Sequence, residues 1–376
     1  MPDLITLGHP DLPATMTLRF EQKLSLGKHV EELEKKWPVQ GEHRIACANG
    51  TSALAIAIKA AVKTVCGKAY PRNLVVCSSY TFGATVLAIR QAGYYPVFAD
   101  CDDLGLLSFE SVYRLLDIDH IGSKIAAVVG TNAFGLPVNS LDIDVFRQRH
   151  KDIPVILDNA QGVGAVITDR LAPASSKANV ETYSMSPTKV VTASEGGMIV
   201  TDDHRIAALC RSGRLYGRNY DGCASEVDTY NGMSARMSDV CAQVGLFSLD
   251  FLEHNLHLRM KIIQEYNRQH LNMLPTLYQS GHYTFVSGLN YAVTLLPPGI
   301  SIKYVMAMML KAGIETRNYF LSQGTGSDNP CAARLSARSL ALPLHTRMTH
   351  GQVIYIADVL KGILKDESHP GANDVR

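Results

Sequence analysis

The segment Glu181-Thr-Tyr-Ser-Met-Ser-Pro-Thr-Lys189-Val-Val-Thr-Ala-Ser-Glu-Gly-Gly197 places one lysine among hydroxyl-bearing and apolar side chains. Residues 180–185 and 198–201 have the composition of short strands, and the paired glycines allow the chain to turn before the second one. Lys189 is therefore predicted on a connector between two strands. Most lysines are solvated surface residues. A poorly solvated amine, however, binds its proton less tightly and becomes nucleophilic toward carbonyl carbons.

Upstream of this connector, short apolar runs alternate with helical patterns. The runs at residues 74–77, 96–100, 125–129 and 155–158 are almost entirely apolar. Continuous apolar strands joined by helices predict an α/β fold with a mostly parallel sheet that helices cover on both faces. Ligands of such sheets bind at the carboxyl ends of the strands. Asp158 is predicted at one of these ends.

The chain after the connector predicts a second, smaller unit. Near the start of the chain, a helix is predicted at residues 20–37. Later in the chain, helices are predicted at residues 239–252, 254–274, 302–312 and 352–364, and strands at residues 290–296 and 314–319. We therefore expect a large domain of residues 1–250, with an N-terminal arm, and a small α+β domain of residues 251–376.

Composition disfavours several classes of protein. The chain has 36 Lys and Arg against 35 Asp and Glu and no basic block, so a nucleic-acid partner is not expected. The start lacks the pattern of a secretory signal and no apolar run has membrane-spanning length, so we expect a soluble, cytoplasmic protein without a membrane partner. The eight cysteines are scattered, and we expect reduced thiols and no metal site.

Several motifs follow one another in a recognisable order. They are Ala48-Asn-Gly50-Thr51-Ser52, Ser79-Tyr-Thr-Phe82, Leu157-Asp158-Asn-Ala-Gln161, Ser184-Met-Ser-Pro-Thr-Lys189 and Ser339-Leu-Ala-Leu-Pro-Leu-His345. This set resembles the DegT/DnrJ/EryC1/StrS family of sugar aminotransferases, which are pyridoxal phosphate (PLP) enzymes of fold type I. The resemblance covers essentially the whole chain. The resemblance implies a mostly parallel sheet of seven strands in the large domain.

The resemblance implies a chemical role for three residues. Lys189 would attach PLP covalently and later carry the proton between substrate and cofactor carbons. Asp158 would keep the pyridine nitrogen protonated, and Gln161 would contact the phenolic oxygen. The structural alternative for Asp158 is a helix or turn cap.

Four further residues would hold the cofactor according to the same resemblance. Phe82 would lie over the pyridine ring, although a buried core phenylalanine is its alternative interpretation. Gly50 and Thr51 would bind the phosphate through backbone amides and a hydroxyl, together with Ser184. Serine alone is a weak signal, because it is common in caps and turns.

One position departs from the family pattern. In Gly232-Met-Ser234-Ala-Arg236 the family usually has an asparagine where this chain has Ser234, and that asparagine reaches the phosphate of the neighbouring subunit. Arg236 still matches. The resemblance therefore implies a homodimer in which the loop of residues 213–238 approaches the other subunit's cofactor, with a shortened contact at Ser234.

The resemblance also implies the reaction. The family transfers an amino group, usually from glutamate, to a keto carbon of a nucleotide-linked deoxysugar, and keto-cyclitols of aminoglycoside pathways fit the same motifs. Arg317 is a candidate for gripping the donor carboxylate or a diphosphate, and an ion pair with Glu315 is an equally good interpretation.

Other functions are less well supported by the motifs. Gly162-Val-Gly164 follows a predicted strand as in dinucleotide oxidoreductases, but Ile167 stands where the third glycine belongs. PLP-dependent sugar dehydratases replace the lysine with histidine, so Lys189 disfavours that activity. A non-catalytic sensory or scaffold role stays open.

Overall fold

The structure is a computed structural model that describes residues 4–8, 12, 15–19, 23–66, 72–168, 176–218, 232–280, 283–324 and 327–367. None of the helices in these ranges combines the length and the apolar character that a membrane crossing requires. The helices are α1 (Lys28–Lys36), α2 (Gly50–Val65), α3 (Gly83–Gln91), α4 (Phe109–Leu116), α5 (Asp119–Gly122), α6 (Ser140–Arg149), α7 (His204–Gly213), α8 (Asp239–Asp250), α9 (Leu252–Arg268), α10 (Ile302–Lys311), α11 (Pro330–Arg338) and α12 (His350–Glu367).

The strands in the same ranges are mostly short. They are β1 (His43–Cys47), β2 (Leu74–Ser78), β3 (Tyr80–Thr81), β4 (Tyr95–Ala99), β5 (Ile125–Thr131), β6 (Val155–Asp158), β7 (Val166–Thr168), β8 (Val180–Ser184), β9 (Gly197–Thr201), β10 (Leu277–Ser280), β11 (Tyr283–Val286), β12 (Ala292–Leu295), β13 (Leu321–Ser322) and β14 (Ser339–Leu342). A short 3-10 helix lies at Ala133–Gly135.

Seven of these strands form the central sheet, in the order β1-β9-β8-β6-β5-β2-β4. β9 is antiparallel to both of its neighbours, β1 and β8, and all other neighbouring strands are parallel. The connector between β8 and β9 contains no helix, and a connection without a crossover helix returns the chain antiparallel to the strand it left. The predicted α/β fold with a mostly parallel sheet is confirmed.

Both faces of the sheet are covered by apolar side chains. Val129 and Ile156 belong to the apolar cluster on one face, which includes the buried residues of α2. Val128 and Leu157, which alternate with them along β5 and β6, belong to the cluster on the other face, which includes residues of α4 and α6. This alternation explains why the strands read as unbroken apolar runs, because each side chain meets a covering layer whichever way it points.

Three local predictions were wrong. The helix predicted at residues 254–274 ends at Arg268, and His270, two residues further on, adopts a left-handed φ of 54°. The helix predicted at residues 20–37 begins only at Lys28, because Leu26 adopts a left-handed φ of 50° and breaks the helical path, and residues 20–22 lie outside the described ranges. The strand predicted at residues 314–319 is replaced by two isolated bridges, Ile314 with Ile5 and Arg317 with Ala341. This segment pairs with a different neighbour at each bridge, so no continuous ladder forms.

The domain boundary was predicted near residue 250, and in the structure this position lies next to Phe251, the residue between α8 and α9. Strands from the two sides of this point pair with each other, β7 with β11 and β3 with β13. The division into residues 1–250 and 251–376 stays a prediction.

Candidate active site

A pocket of about 300 Å³ lies at the carboxyl ends of β5, β6 and β8, where Thr131, Asp158 and Ser184 reach its lining. Parallel sheets of this kind place ligands at this edge. The pocket brings together seven of the eight residues predicted to act on or hold a cofactor, namely Gly50, Thr51, Phe82, Asp158, Gln161, Ser184 and Lys189. Their individual roles stay predictions.

The start of α2 forms one end of the pocket. Asn49 caps this helix, and its side chain accepts a hydrogen bond from the Ser52 N–H at 2.8 Å. The first N–H groups of a helix have no partner within the helix, so Gly50 and Thr51 present donors suited to an anion. A Cβ added to Gly50 would lie 2.8 Å from the Cβ of Ser184, so glycine is required for this close approach.

Asp158 is a buried carboxyl group at the end of β6, only 8% exposed. Its Oδ2 accepts a hydrogen bond from the Thr85 hydroxyl at 2.7 Å, and its Oδ1 accepts one from the Ala160 N–H at 3.1 Å. Burial raises the pKa of Asp158, and the hydrogen bonds from Thr85 and Ala160 and the charge of Lys189 offset only part of that effect. A cationic group placed against this carboxylate would therefore be strongly favoured.

Gln161 lies just beyond the end of β6 and is buried, with 7% of its surface exposed. Its Oε1 has no hydrogen-bond partner among the described residues. The two ends of a side-chain amide exchange by rotation, so either its donor or its acceptor can turn toward the pocket. A buried amide with an unused polar atom at a pocket wall indicates that a ligand supplies the partner.

Lys189 lies on the connector between β8 and β9 and is half-buried. Its N–H donates to the Ser186 carbonyl at 3.0 Å, which closes a tight turn just before the lysine. The Nζ lies 5.8 Å from the centroid of the Tyr291 ring, and the Tyr291 hydroxyl lies 3.3 Å from Thr188 Oγ1. The backbone turn and the aromatic ring together restrict where the amine can go.

The exposure of Phe82 excludes the alternative interpretation of this residue as a buried core phenylalanine. Its side chain is 51% exposed, and it lines the pocket at the start of α3. A large exposed aromatic side chain beside a pocket is suited to contact a planar ligand.

Sequence reasoning missed several lining or supporting residues. Thr85 and Tyr291 are the clearest examples, since one bonds Asp158 and the other faces Lys189. Nothing in their local sequence marks them, because both positions fit the ordinary pattern of a helix and of a strand start. Further lining residues outside the predicted set include Asn132, Glu195, Tyr319 and Phe320.

Both interpretations of Arg317 are compatible with its surroundings. Its side chain lines the pocket and is 57% exposed. Its Nη2 also lies 3.3 Å from Glu315 Oε1, while the second oxygen of Glu315 accepts the Leu7 N–H at 3.0 Å. An exposed ion pair of this kind is weak, so an incoming anion can compete for the guanidinium.

Ser234 does not line the pocket of its own chain. It is exposed, and its hydroxyl lies 3.1 Å from that of Tyr216. Arg236 donates to the same Tyr216 oxygen at 2.8 Å, and its guanidinium lies 4.9 Å from the ring centroid. The hydrogen bond with Ser234 has the largest effect on the pKa of Tyr216 and lowers it, and the charge and hydrogen bond of Arg236 lower it further. Residues 219–231 of the predicted loop lie outside the described ranges.

No group of three or more His, Cys, Asp or Glu side chains is arranged to hold a metal ion in the part of the chain that the structure describes.

Known proteins resemble this chain over nearly its full length. The profile of the DegT/DnrJ/EryC1/StrS aminotransferase family matches residues 13–361. GDP-perosamine synthase from Caulobacter vibrioides is 25% identical over 358 residues, which cover 90% of this chain and 91% of that protein. A pleiotropic regulatory protein from Geobacillus stearothermophilus is 31% identical over 195 residues, and here the match spans only 51% of this chain and 49% of the relative.

Solved structures agree with the sequence comparisons. DesI, crystallised in the presence of its TDP-sugar product, superposes with a TM-score of 0.75 at 28% identity and covers 91% of this chain and 86% of that one. A Streptococcus pneumoniae protein in its PLP-form superposes with a TM-score of 0.81 over 96% of this chain and 99% of that one, and its 17% identity supports the fold alone. The resemblance inferred from the motifs is thereby confirmed, and this enzyme belongs to the DegT/DnrJ/EryC1/StrS aminotransferase family.

Proposed function

We propose that this enzyme binds PLP in the pocket and transfers an amino group from an amino acid, such as glutamate, to a keto carbon of a nucleotide-linked deoxysugar. One observation carries the proposal. Lys189, Asp158 and the start of α2 converge on a single pocket although they come from distant parts of the chain. An amine, a buried carboxylate and an anion-binding helix end are the three groups that PLP requires.

The residues present fit PLP. The close approach of Gly50 to Ser184 leaves a space lined by backbone donors and a hydroxyl, which suits a phosphate group. Asp158 would hold the proton of the pyridine nitrogen, the unpaired amide of Gln161 would bond the phenolic oxygen, and the exposed ring of Phe82 would cover the pyridine face. PLP, when bound, supplies an electron sink for the negative charge that develops on the substrate carbon.

The protein's own part of the chemistry centres on the Nζ of Lys189. In the first half of the reaction this amine removes the proton from the donor's α-carbon. In the second half it delivers a proton to the sugar carbon that receives the nitrogen. Asp158 stays ionised while it is paired with a cation, because the charge pair offsets the burial that otherwise raises its pKa.

Two observations favour a nucleotide sugar over a keto-cyclitol as acceptor. GDP-perosamine synthase and the TDP-sugar complex of DesI both concern nucleotide-linked sugars. Arg317 lines the pocket and offers a forked cation that suits a diphosphate or a donor carboxylate, so it is compatible with this acceptor but does not select it over a keto-cyclitol.

The decisive experiment follows the cofactor's visible absorbance. Purified protein loaded with PLP should be yellow, lose that absorbance with glutamate and regain it when a keto-sugar nucleotide is added. Recovery with a keto-cyclitol alone would replace the proposed acceptor but keep the mechanism. No bleaching by any amino donor would remove transamination, and a response to nicotinamide cofactors would indicate an oxidoreductase instead.

We also propose a homodimer in which each subunit contributes to the other's pocket. The exposed cluster of Tyr216, Ser234 and Arg236 supports this, because it holds a cation and two hydroxyl groups outside its own chain's pocket. Mixing an inactive Lys189→Ala protein with an inactive Arg236→Ala protein should restore part of the activity through hybrid dimers. A catalytically active monomer would contradict the arrangement.

A further inference from the structure

Two tyrosines on the pocket wall pack against each other as a tilted pair, and the proposed chemistry does not use them. Tyr291 is buried, with 5% of its surface exposed, and Tyr319 is half-buried. Their ring centroids lie 4.3 Å apart with the planes tilted by 38°, and both residues line the pocket. Packing against Tyr319 leaves the Tyr291 ring little room to move.

Tyr291 contacts the lysine connector at two successive residues. Its ring lies 5.8 Å from Lys189 Nζ, within the range of an attractive contact between a cation and an aromatic face. Its hydroxyl lies 3.3 Å from the hydroxyl of Thr188, the residue just before the lysine. One side chain therefore lies against both the amine of Lys189 and the side chain of Thr188.

The charges around the pair distinguish the two hydroxyl groups. Burial raises the pKa of Tyr291, but the charge of Lys189 and the hydrogen bonds with Thr188, Tyr319 and Asn290 together outweigh it, so the net shift is downward. Burial raises the pKa of Tyr319, and the charge of Tyr291 raises it further. The pKa of Tyr291 therefore lies below that of Tyr319.

Other charged groups lie farther along the same wall or across the pocket. Arg317 lies 6.0 Å from the Tyr319 ring and is paired with Glu315, and both charges act on the pKa of Tyr319. On the sheet side, the charge of Lys189 lowers the pKa of Asp158. None of these groups replaces Tyr291 as the lysine's neighbour on this wall.

We propose that Tyr291 is a positioning residue for Lys189, with its ring limiting the swing of the amine and its hydroxyl holding the side chain of Thr188, the residue just before the lysine. The proposal rests on the proposed function, in which that amine moves protons. Tyr319 fixes the ring of Tyr291 from behind, and Thr188 fixes its hydroxyl. This assigns a role in proton transfer to a side chain far from the lysine motif in sequence.

The first test uses the protein without cofactor and follows the ultraviolet absorbance of tyrosinate as the pH rises. Because the pKa of Tyr216 is also lowered, every variant is made in a Tyr216→Phe background. In that background we expect one tyrosine to ionise before the others, that step to vanish in Tyr291→Phe, and the step to move to higher pH in Lys189→Ala. The matched control is Tyr304→Phe, which removes an exposed hydroxyl on α10 outside the pocket and should keep the early step. An early step that persists in Tyr291→Phe would overturn the proposal.

The second test measures amino transfer against pH in the PLP-loaded enzyme. Tyr291→Phe keeps the ring and should lower kcat by up to about tenfold, the usual size of one lost hydrogen bond, with little change in KM. The alkaline side of the pH profile should change, because the variant lacks the Tyr291 hydroxyl, whose pKa the charge of Lys189 lowers in the natural enzyme. Tyr291→Leu, which also removes the ring, should lose more activity than Tyr291→Phe.

The two tests separate the possible failures. If the natural protein transfers no amino group but Tyr291→Phe abolishes the early tyrosine step, the pairing with Lys189 is supported and the proposed function fails. If amino transfer is observed and Tyr291→Phe leaves its pH profile unchanged, the positioning role is wrong while the function stands. Thermal melting of each variant checks that the fold is retained.

Discussion

The pocket has two walls that differ in how the chain builds them. The sheet wall consists of residues 49–51, Asp158, Gln161, Ser184 and Lys189, which lie at or just beyond strand ends and at the start of α2. The aromatic wall consists of Tyr291, Arg317, Tyr319 and Phe320, which lie between regular elements. The sheet wall carries the groups that fit PLP, whereas the aromatic wall carries groups suited to the lysine's surroundings and to substrates.

The two walls are held in place by different kinds of interaction. The sheet wall is held by backbone geometry, such as the helix cap at Asn49 and the glycine approach to Ser184. The aromatic wall is held by side-chain packing, for example the stacking of Phe320 on Phe134 with centroids 4.8 Å apart. Packing can be rearranged by substitution more readily than backbone geometry. We therefore expect changes in the sheet wall to affect cofactor and turnover, and changes in the aromatic wall to affect substrate choice and pH response.

The largest effect should come from removing the amine of the sheet wall. Lys189→Ala should lower kcat by at least about a thousandfold, because in the proposed mechanism the same group serves as covalent attachment and proton carrier. Lys303→Ala, which removes an exposed lysine on α10, is the matched control and should behave like the natural protein. Peptide mapping after borohydride reduction should find the cofactor on Lys189, and a label elsewhere would move the reaction centre.

Asp158→Asn should lower kcat by about a hundredfold or more, the usual loss when one electrostatic partner of a reacting group is removed. The fold should be retained, since an amide oxygen can still accept the Thr85 hydrogen bond. Steady-state kinetics with saturating PLP measure the loss. Asp117→Asn, at the exposed end of α4, controls for the chemical change, and near-normal turnover in Asp158→Asn with cofactor bound would remove this carboxylate from the mechanism.

Gly50→Ala should weaken PLP binding by about 10- to 100-fold, because overpacking typically costs about 1–3 kcal/mol and the new Cβ would lie 2.8 Å from that of Ser184. Titration of the cofactor's absorbance measures the dissociation constant. Gly351→Ala is the control, since a Cβ there meets nothing within 4 Å. Unchanged affinity in Gly50→Ala would show that the start of α2 is not the phosphate site.

The smallest effect should come from the aromatic wall. Arg317→Gln should raise KM for the anionic substrate about three- to tenfold without changing PLP affinity, because an exposed charged hydrogen bond contributes modestly. Comparing KM for glutamate with KM for the nucleotide sugar identifies which anion the guanidinium binds. Arg114→Gln breaks a similar exposed pair with Glu110 on α4 and should change neither constant. If Arg317→Gln has the same KM as the natural enzyme for glutamate and also for the nucleotide sugar, Arg317 only forms a surface ion pair.

Much of the sheet wall could be predicted because its signals are local. The turn from β1 into α2, the acidic end of β6 and the lysine connector each occupy a few consecutive residues, and each needs particular residue types for its backbone shape or chemistry. The first residues of the strands in the second half of the chain need no particular residue type for their backbone shape. A tyrosine at position 291 fits a strand start equally well whether it is buried in a core or faces an active-site lysine.

The sequence by itself determined the α/β architecture, the strand-end position of Asp158 and the placement of Lys189 between two strands, because apolar periodicity and turn residues act over short distances. Only the tertiary structure decided which side chains surround them. Thr85 meets Asp158 across 73 positions, and Tyr291 meets the lysine turn at Thr188 across 103 positions. Such neighbours result from how the helices and strands pack on the sheet, and no local pattern encodes that packing.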